Sequence, residues 1–116
     1  MTLNEFTDLY FDILKKEYNE KGKEFNHYEF ATLIFKELKK IKRSKTEATR
    51  LSLRIGSPLI EELDKIENKI MRTNNWLADD KTINKELRKL NTQRIILKAK
   101  IEILDEIIKY MKGETL

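Results

Sequence analysis

Apolar residues recur along this chain at helical rather than strand spacing. Leu3, Phe6, Tyr10, Ile13 and Leu14 follow one another at intervals that put side chains on one face of an α-helix. Thr2 and Glu5 form the sequence of a capping box just ahead of them. The pattern predicts a first helix over 3–19, closed before Gly22, a natural terminator. Asn26 is a candidate cap for a second helix. Its stripe is Tyr28, Ala31, Ile34, Phe35, Leu38 and Ile41, and Ser44 interrupts it.

Segment 45–55 carries two periods at once. Ala48, Leu51 and Ile55 fit a helix face, while Thr49, Leu51, Leu53 and Ile55 alternate with Arg50, Ser52 and Arg54 as in a strand. Helix is favoured because no other segment offers a partner strand. A strand over 49–55 would have to pair between molecules. Gly56-Ser57-Pro58 predicts a break, with Ser57 as cap and Pro58 as first residue of a new helix. Glu61 and Glu62 then lie near the positive end of its dipole.

Leu59, Leu63, Ile66 and Ile70 continue at spacings of four, three and four. Asn74-Asn75 and Asp79-Asp80 mark a turn around Trp76 and Leu77. The last helix, over 82–112, carries Leu87, Leu90, Arg94, Leu97, Ile101, Leu104, Ile108 and Met111. This is a heptad seam with one polar position, and the helix spans about 45 Å. With a turn centred near Asp80, Leu59 meets Ile101, Leu63 meets Leu97 and Ile70 meets Leu90. Glu61 and Glu62 then face Lys98 and Lys100. Apolar and charge registers agree on one antiparallel hairpin. Leu104 to Met111 overhang it, and a second subunit is the simplest cover.

The predicted fold is therefore all-α: short N-terminal helices in a region 1–55, then a helical hairpin in 56–116 expected to dimerise. With one Pro and three Gly among 116 residues, few breaks interrupt the helices. The chain has no Cys, which excludes disulfides and thiolate metal sites. It lacks an apolar run of membrane-spanning length, and MTLNEFTDLY is not a signal-peptide pattern. A cytoplasmic location is the expectation.

Charge is unevenly placed. Segment 36–54 carries eight Lys/Arg against two Glu, a local +6, whereas the whole chain nets +4. Clustered cations attract phosphates whatever the base sequence. Catalysis has little to stand on. His27 has no assignable orienting partner, and it reads as a cap or surface residue. Glu5, Asp8 and Asp12 share a helix face without His or Cys nearby, as a solvated face does. Gly-rich phosphate loops and nucleophile motifs are missing. No enzyme, cofactor or metal is expected.

Two resemblances fall on the basic segment. Ser44-Lys45-Thr46-Glu47-Ala48-Thr49-Arg50-Leu51 resembles the opening of a helix-turn-helix recognition helix, with helix 2 as its support. Thr49 to Ile55, followed by LIEELDKI, resembles the strand and first helix of ribbon-helix-helix proteins, with Arg50, Ser52 and Arg54 facing the groove. Both imply DNA. The expectation is a small dimeric DNA-binding protein, a transcriptional regulator or accessory factor. The Lys, Ile and Asn richness resembles products of AT-rich bacterial genomes, their phages and plasmids. Lys39, Lys40, Lys42, Arg43 and Lys45 would neutralise phosphates, and Thr46, Arg50 and Arg54 would approach the groove. The alternative is an interaction module, such as a phage-type inhibitor or adaptor that binds a host protein through its helices. Trp76, beside Arg72, would either stack on a base or close the seam. Arg94 would pair across helices, set a register, or reach solvent by its stem.

Overall fold

A computed structural model describes residues 1–75 and 78–113, and these are helical with no strand among them. Helix α1 spans Leu3–Lys21. Its capping box forms as predicted: the Thr2 hydroxyl accepts from the Glu5 N–H at 3.2 Å, and the Glu5 carboxylate accepts from the Thr2 N–H at 3.4 Å. Gly22 stops it at φ 54°, a conformation that suits glycine. After a 3₁₀ turn at Gly22–Glu24, Asn26 caps α2 (His27–Leu38) by accepting from the Tyr28 and Glu29 N–H groups. The buried stripe of α2 is Phe30, Ile34 and Leu38. Tyr28, expected on that stripe, is 82% exposed. Phe30, two residues on, is buried instead, its ring tilted at 54° to that of Phe25.

Ser44 caps α3 (Lys45–Leu51) through the Glu47 N–H at 3.3 Å. Here the favoured helical reading of 45–55 holds: the alternative strand over 49–55 does not form, so the ribbon-helix-helix resemblance lapses. The structure corrects the sequence reading at Gly56-Ser57-Pro58, which does not break the chain. A π turn at Ser52–Gly56 leads without interruption into α4 (Ser57–Asn74), with Gly56 at φ −62°, ψ −49°. Pro58 explains the π turn. It has no N–H to donate, and its ring crowds the carbonyl four residues back. Widening the helix by one residue relieves that, and the Ser57 N–H reaches the Ser52 carbonyl. The same widening satisfies the backbone without a cap at Ser57.

Asp79 caps α5 (Asp80–Met111) through the Thr82 N–H at 2.6 Å. That bond holds the Asp79 carboxyl below its usual range. Trp76 and Leu77 lie outside the described residues. Helices α4 and α5 form the most extensive pair, in the predicted antiparallel sense. The position a Cβ would take on Gly56 is 3.5 Å from a Leu104 methyl, the same register as Leu59 with Ile101. Lys98 pairs with Glu67 at 3.9 Å, one turn along from the predicted Glu61 and Glu62.

Helix α5 carries two apolar faces. Leu90, Leu97, Leu104 and Met111 belong to the seam; Ile96, Ala99, Ile107 and Tyr110 are buried as well. The second face receives α1 and α2, while α3 covers the end of the seam. Leu104, Ile107 and Met111 are each at most 2% exposed within one chain. The overhang is thus closed internally, which removes the ground on which a second subunit was expected. At about 1.5–3 kcal/mol per buried side chain, covering these residues is a large share of a small domain's stability. The molecule measures 53 × 28 × 22 Å. Its long axis is set by α5, whose first turns run past the N-terminal helices beside α4 as a two-helix arm.

Candidate nucleic-acid interface

The basic segment divides into cations held by the fold and cations left to solvent. Arg54 is held: its Nε donates to Asn4 Oδ1 at 3.2 Å, and Nη2 lies 3.6 Å from Asp8. It latches the π turn to the first turns of α1 rather than approaching a groove. Arg43 lies over the Tyr110 ring at 4.3 Å, joining the α2–α3 connection to the end of α5. Lys40 sits 3.1 Å from Glu37, one turn back.

Lys39, Lys42, Lys45 and Arg50 are exposed, and among the described residues none has a carboxylate within 4.0 Å. Thr46 and Thr49 are exposed beside them, and the Thr49 hydroxyl is bonded back to the Lys45 carbonyl. Ala48 and Leu51 point inward and are fully buried, as the helical period required. Of the predicted phosphate contacts, Lys39, Lys42 and Lys45 are thus left to solvent beside the exposed residues of α3, while Lys40 and Arg43 are engaged by Glu37 and Tyr110 and Arg54 is held by α1.

The supporting arrangement for a recognition helix is not present. Helices α2 and α3 make no close backbone approach to each other; both lie on α1 and α5. A six-residue connection, Lys39 to Ser44, separates them; it opens on a turn closed by the Ile41 N–H on the Leu38 carbonyl at 3.0 Å and then runs on without a further turn bond. In a helix-turn-helix the first helix packs across the second and holds it in the groove. Here Leu38 and Leu51 are both spent on the common core instead, each at 0% exposure. The helix-turn-helix resemblance stops at the local sequence of α3.

His27 is exposed at the first turn of α2, hydrogen-bonded to the Tyr18 hydroxyl and set edge-on to Phe25. Asp8 is engaged by Arg54. Arg94 is half-buried on the seam without an ion pair among the described residues. Lys100 is half-buried over Phe11, and burial, with Lys15 nearby, lowers its pKa.

Sequence reasoning missed a second cationic surface. Residues 69–94 hold seven Lys/Arg against three Asp/Glu. The turn between α4 and α5 dilutes this in any linear window, and only the hairpin brings the two halves together. Compared with protein families, with curated proteins and with solved structures, the chain matches none. No described helix is long and apolar enough to cross a membrane.

Proposed function

We propose that this protein binds nucleic acid through the phosphate backbone, as a small accessory or regulatory factor. Lys39, Lys42, Lys45 and Arg50 are its contacts, with Thr46 as a neighbouring donor. One observation carries the reading: these four cations, close together in the chain from the α2–α3 connection through α3, are exposed and unpaired among the described residues. Uncompensated cations repel one another, and a polyanion relieves that while releasing its own counterions. The reading does not include base readout by Arg54, whose guanidinium is held by Asn4 and Asp8.

The test is fluorescence anisotropy with a labelled duplex across a salt series. Replacing Lys42, Lys45 and Arg50 together by Gln should lower the log–log salt slope by roughly 2–3, since each phosphate contact accounts for about 0.9. Wild-type protein that fails to bind at about 50 mM salt, where backbone contacts are strong, overturns the proposal.

A groove favours a second reading, the protein-interaction module. Between α1 and α2 an open cleft of about 430 Å³ is floored by Tyr10, Ile13, Phe25 and Phe30. Glu17, Glu24, Glu29 and Glu37 rim it against Lys21 and Lys36, and Leu33 stands 60% exposed at its edge. That chemistry suits a cationic amphipathic helix of another protein. Leu33→Asp should abolish capture of such a helix without changing nucleic-acid binding.

A further inference from the structure

We infer that the tip of the α4–α5 arm is a second nucleic-acid backbone site, separate from the α2–α3 surface. The inference rests on the proposed nucleic-acid function and deepens it. Four observations carry it.

Lys69 and Arg72, near the end of α4, line one cleft with Lys89 and Gln93 from the start of α5. Glu86 is the single acid there, so the cleft has three cations to one carboxylate. Its volume is about 370 Å³, and the buried side chain of Leu90 forms its floor. Second, Lys81, Lys85 and Arg88 follow at helical spacings that place them on the side of α5 turned from Leu90. All three are exposed. Further along α5, that side carries Ala99 and Tyr110, which join the common core that α1 and α2 build on α5. Where the cover ends, the composition changes from apolar to cationic.

Third, none of the seven Lys/Arg of 69–94 has a carboxylate within 4.0 Å among the described residues. Two of the three acids in this stretch, Asp79 and Asp80, open α5, and Asp79 is committed to the Thr82 N–H. They serve the helix terminus rather than the lysines. Fourth, the arm is two helices thick and stands at the end of the 53 Å axis. A polyanion can reach it from several sides.

A solvated helix face would explain exposed lysines on one helix. It does not explain cations from two helices converging on one cleft while nearby acids are used elsewhere. Phosphate groups of a backbone match this surface in charge and in hydrogen-bond demand, since Lys, Arg and Gln all donate. Readout of bases is not implied.

The experiment uses the full chain and two variants. One carries Lys69→Gln, Arg72→Gln and Lys89→Gln; the other carries Lys42→Gln, Lys45→Gln and Arg50→Gln. Circular dichroism checks that both fold, as expected for exposed positions. Each is titrated against the same labelled duplex over a salt series. The arm variant should lose roughly 2–3 from the log–log slope and at least about tenfold in affinity near 0.1 M salt. Unchanged slope and affinity in the arm variant, with both lost in the α2–α3 variant, overturns the arm site and leaves the proposed function standing. Loss in the arm variant alone supports the arm as a backbone site and overturns the assignment of Lys42, Lys45 and Arg50. Absence of wild-type binding at about 50 mM salt overturns both.

Discussion

Replacing Gly56 by Ala separates a continuous helix from a broken one. If Gly56 ended a helix, Ala would cost stability, because a terminating glycine usually occupies a conformation that side chains resist. In the structure Gly56 lies inside a helical run at φ −62°, ψ −49°. An added Cβ would meet a Leu104 methyl at 3.5 Å and the Ser52 hydroxyl at 3.7 Å, both ordinary contacts. Nothing must move. Glycine inside a helix is worse than alanine by about 0.5–1 kcal/mol, mostly through the entropy of the unfolded chain. Gly56→Ala should therefore stabilise the protein by about 0.5–1 kcal/mol, or roughly 2–5 °C in melting temperature for a domain of this size. Gly22→Ala is the control. Gly22 sits at φ 54° with open space around it, so alanine there meets backbone strain rather than a clash. It should lose about 1–3 kcal/mol. Urea unfolding of wild type and both variants, followed by circular dichroism, measures each change. Destabilisation by Gly56→Ala of more than about 0.5 kcal/mol, comparable to the whole expected gain, would refute continuity through the π turn.

Sedimentation equilibrium should find a monomer at tens of micromolar, because α1, α2 and α3 already cover the end of α5; a tight dimer would show that another apolar face is shared. Leu104→Asp should unfold the chain, since Leu104 is 2% exposed and truncation of such a leucine alone costs about 2–5 kcal/mol; a folded variant would show that the α5 end is not part of the core. Lys100 has its pKa lowered by burial and by Lys15, with Glu62 and Asp12 opposing. The folded state therefore binds this proton less tightly than the unfolded state, and stability rises as pH climbs from the lowered pKa towards the unfolded value. Lys100→Met should raise the urea midpoint at pH 7 and lose that advantage near pH 10. A variant less stable than wild type at neutral pH would mean the contact with Phe11 outweighs the desolvation.

Local signals in the sequence were read most accurately where one residue does one job. Thr2 and Asn26 each cap a helix, and Gly22 ends one. The hairpin was legible because two independent patterns, apolar and charged, give the same register. Pro58 was misread because proline has two solutions. It can open a new helix, or sit in one whose preceding turn has widened, and only packing of Gly56 against Leu104 selects the second. The strand period at 49–55 did not translate into burial, since Leu51 is fully buried in α3 while Leu53, in the π turn, is 69% exposed. The second face of α5 escaped notice because Ile96, Ala99, Ile107 and Tyr110 lie beside a stronger heptad seam. Without that face the overhang looked unpaired. The cleft at the arm tip was invisible for another reason: its cations come from two segments joined only by the fold.

The division of labour within the basic segment is itself informative about recognition. The two arginines that touch other elements, Arg43 and Arg54, are used where a flat, delocalised cation has an advantage. One stacks on Tyr110, and the other bridges an amide and a carboxylate at once. Left over are four lysines, Lys36 at the rim of the α1–α2 cleft and Lys39, Lys42 and Lys45 beyond it, with Arg50. Lysine is a compact point charge that neutralises phosphate without fixing geometry, whereas base edges are usually read by bidentate, well-supported side chains. Support is also missing beneath Arg50, because α2 does not pack across α3. A surface of this kind favours affinity governed by charge and salt over discrimination between sequences. The arm tip repeats the composition, with Lys69, Lys81, Lys85 and Lys89 outnumbering Arg72 and Arg88. Two lysine-rich surfaces, one along the α2–α3 connection and α3 and one at the tip of the α4–α5 arm, fit the proposed role of holding a backbone in place while sequence is chosen by something else.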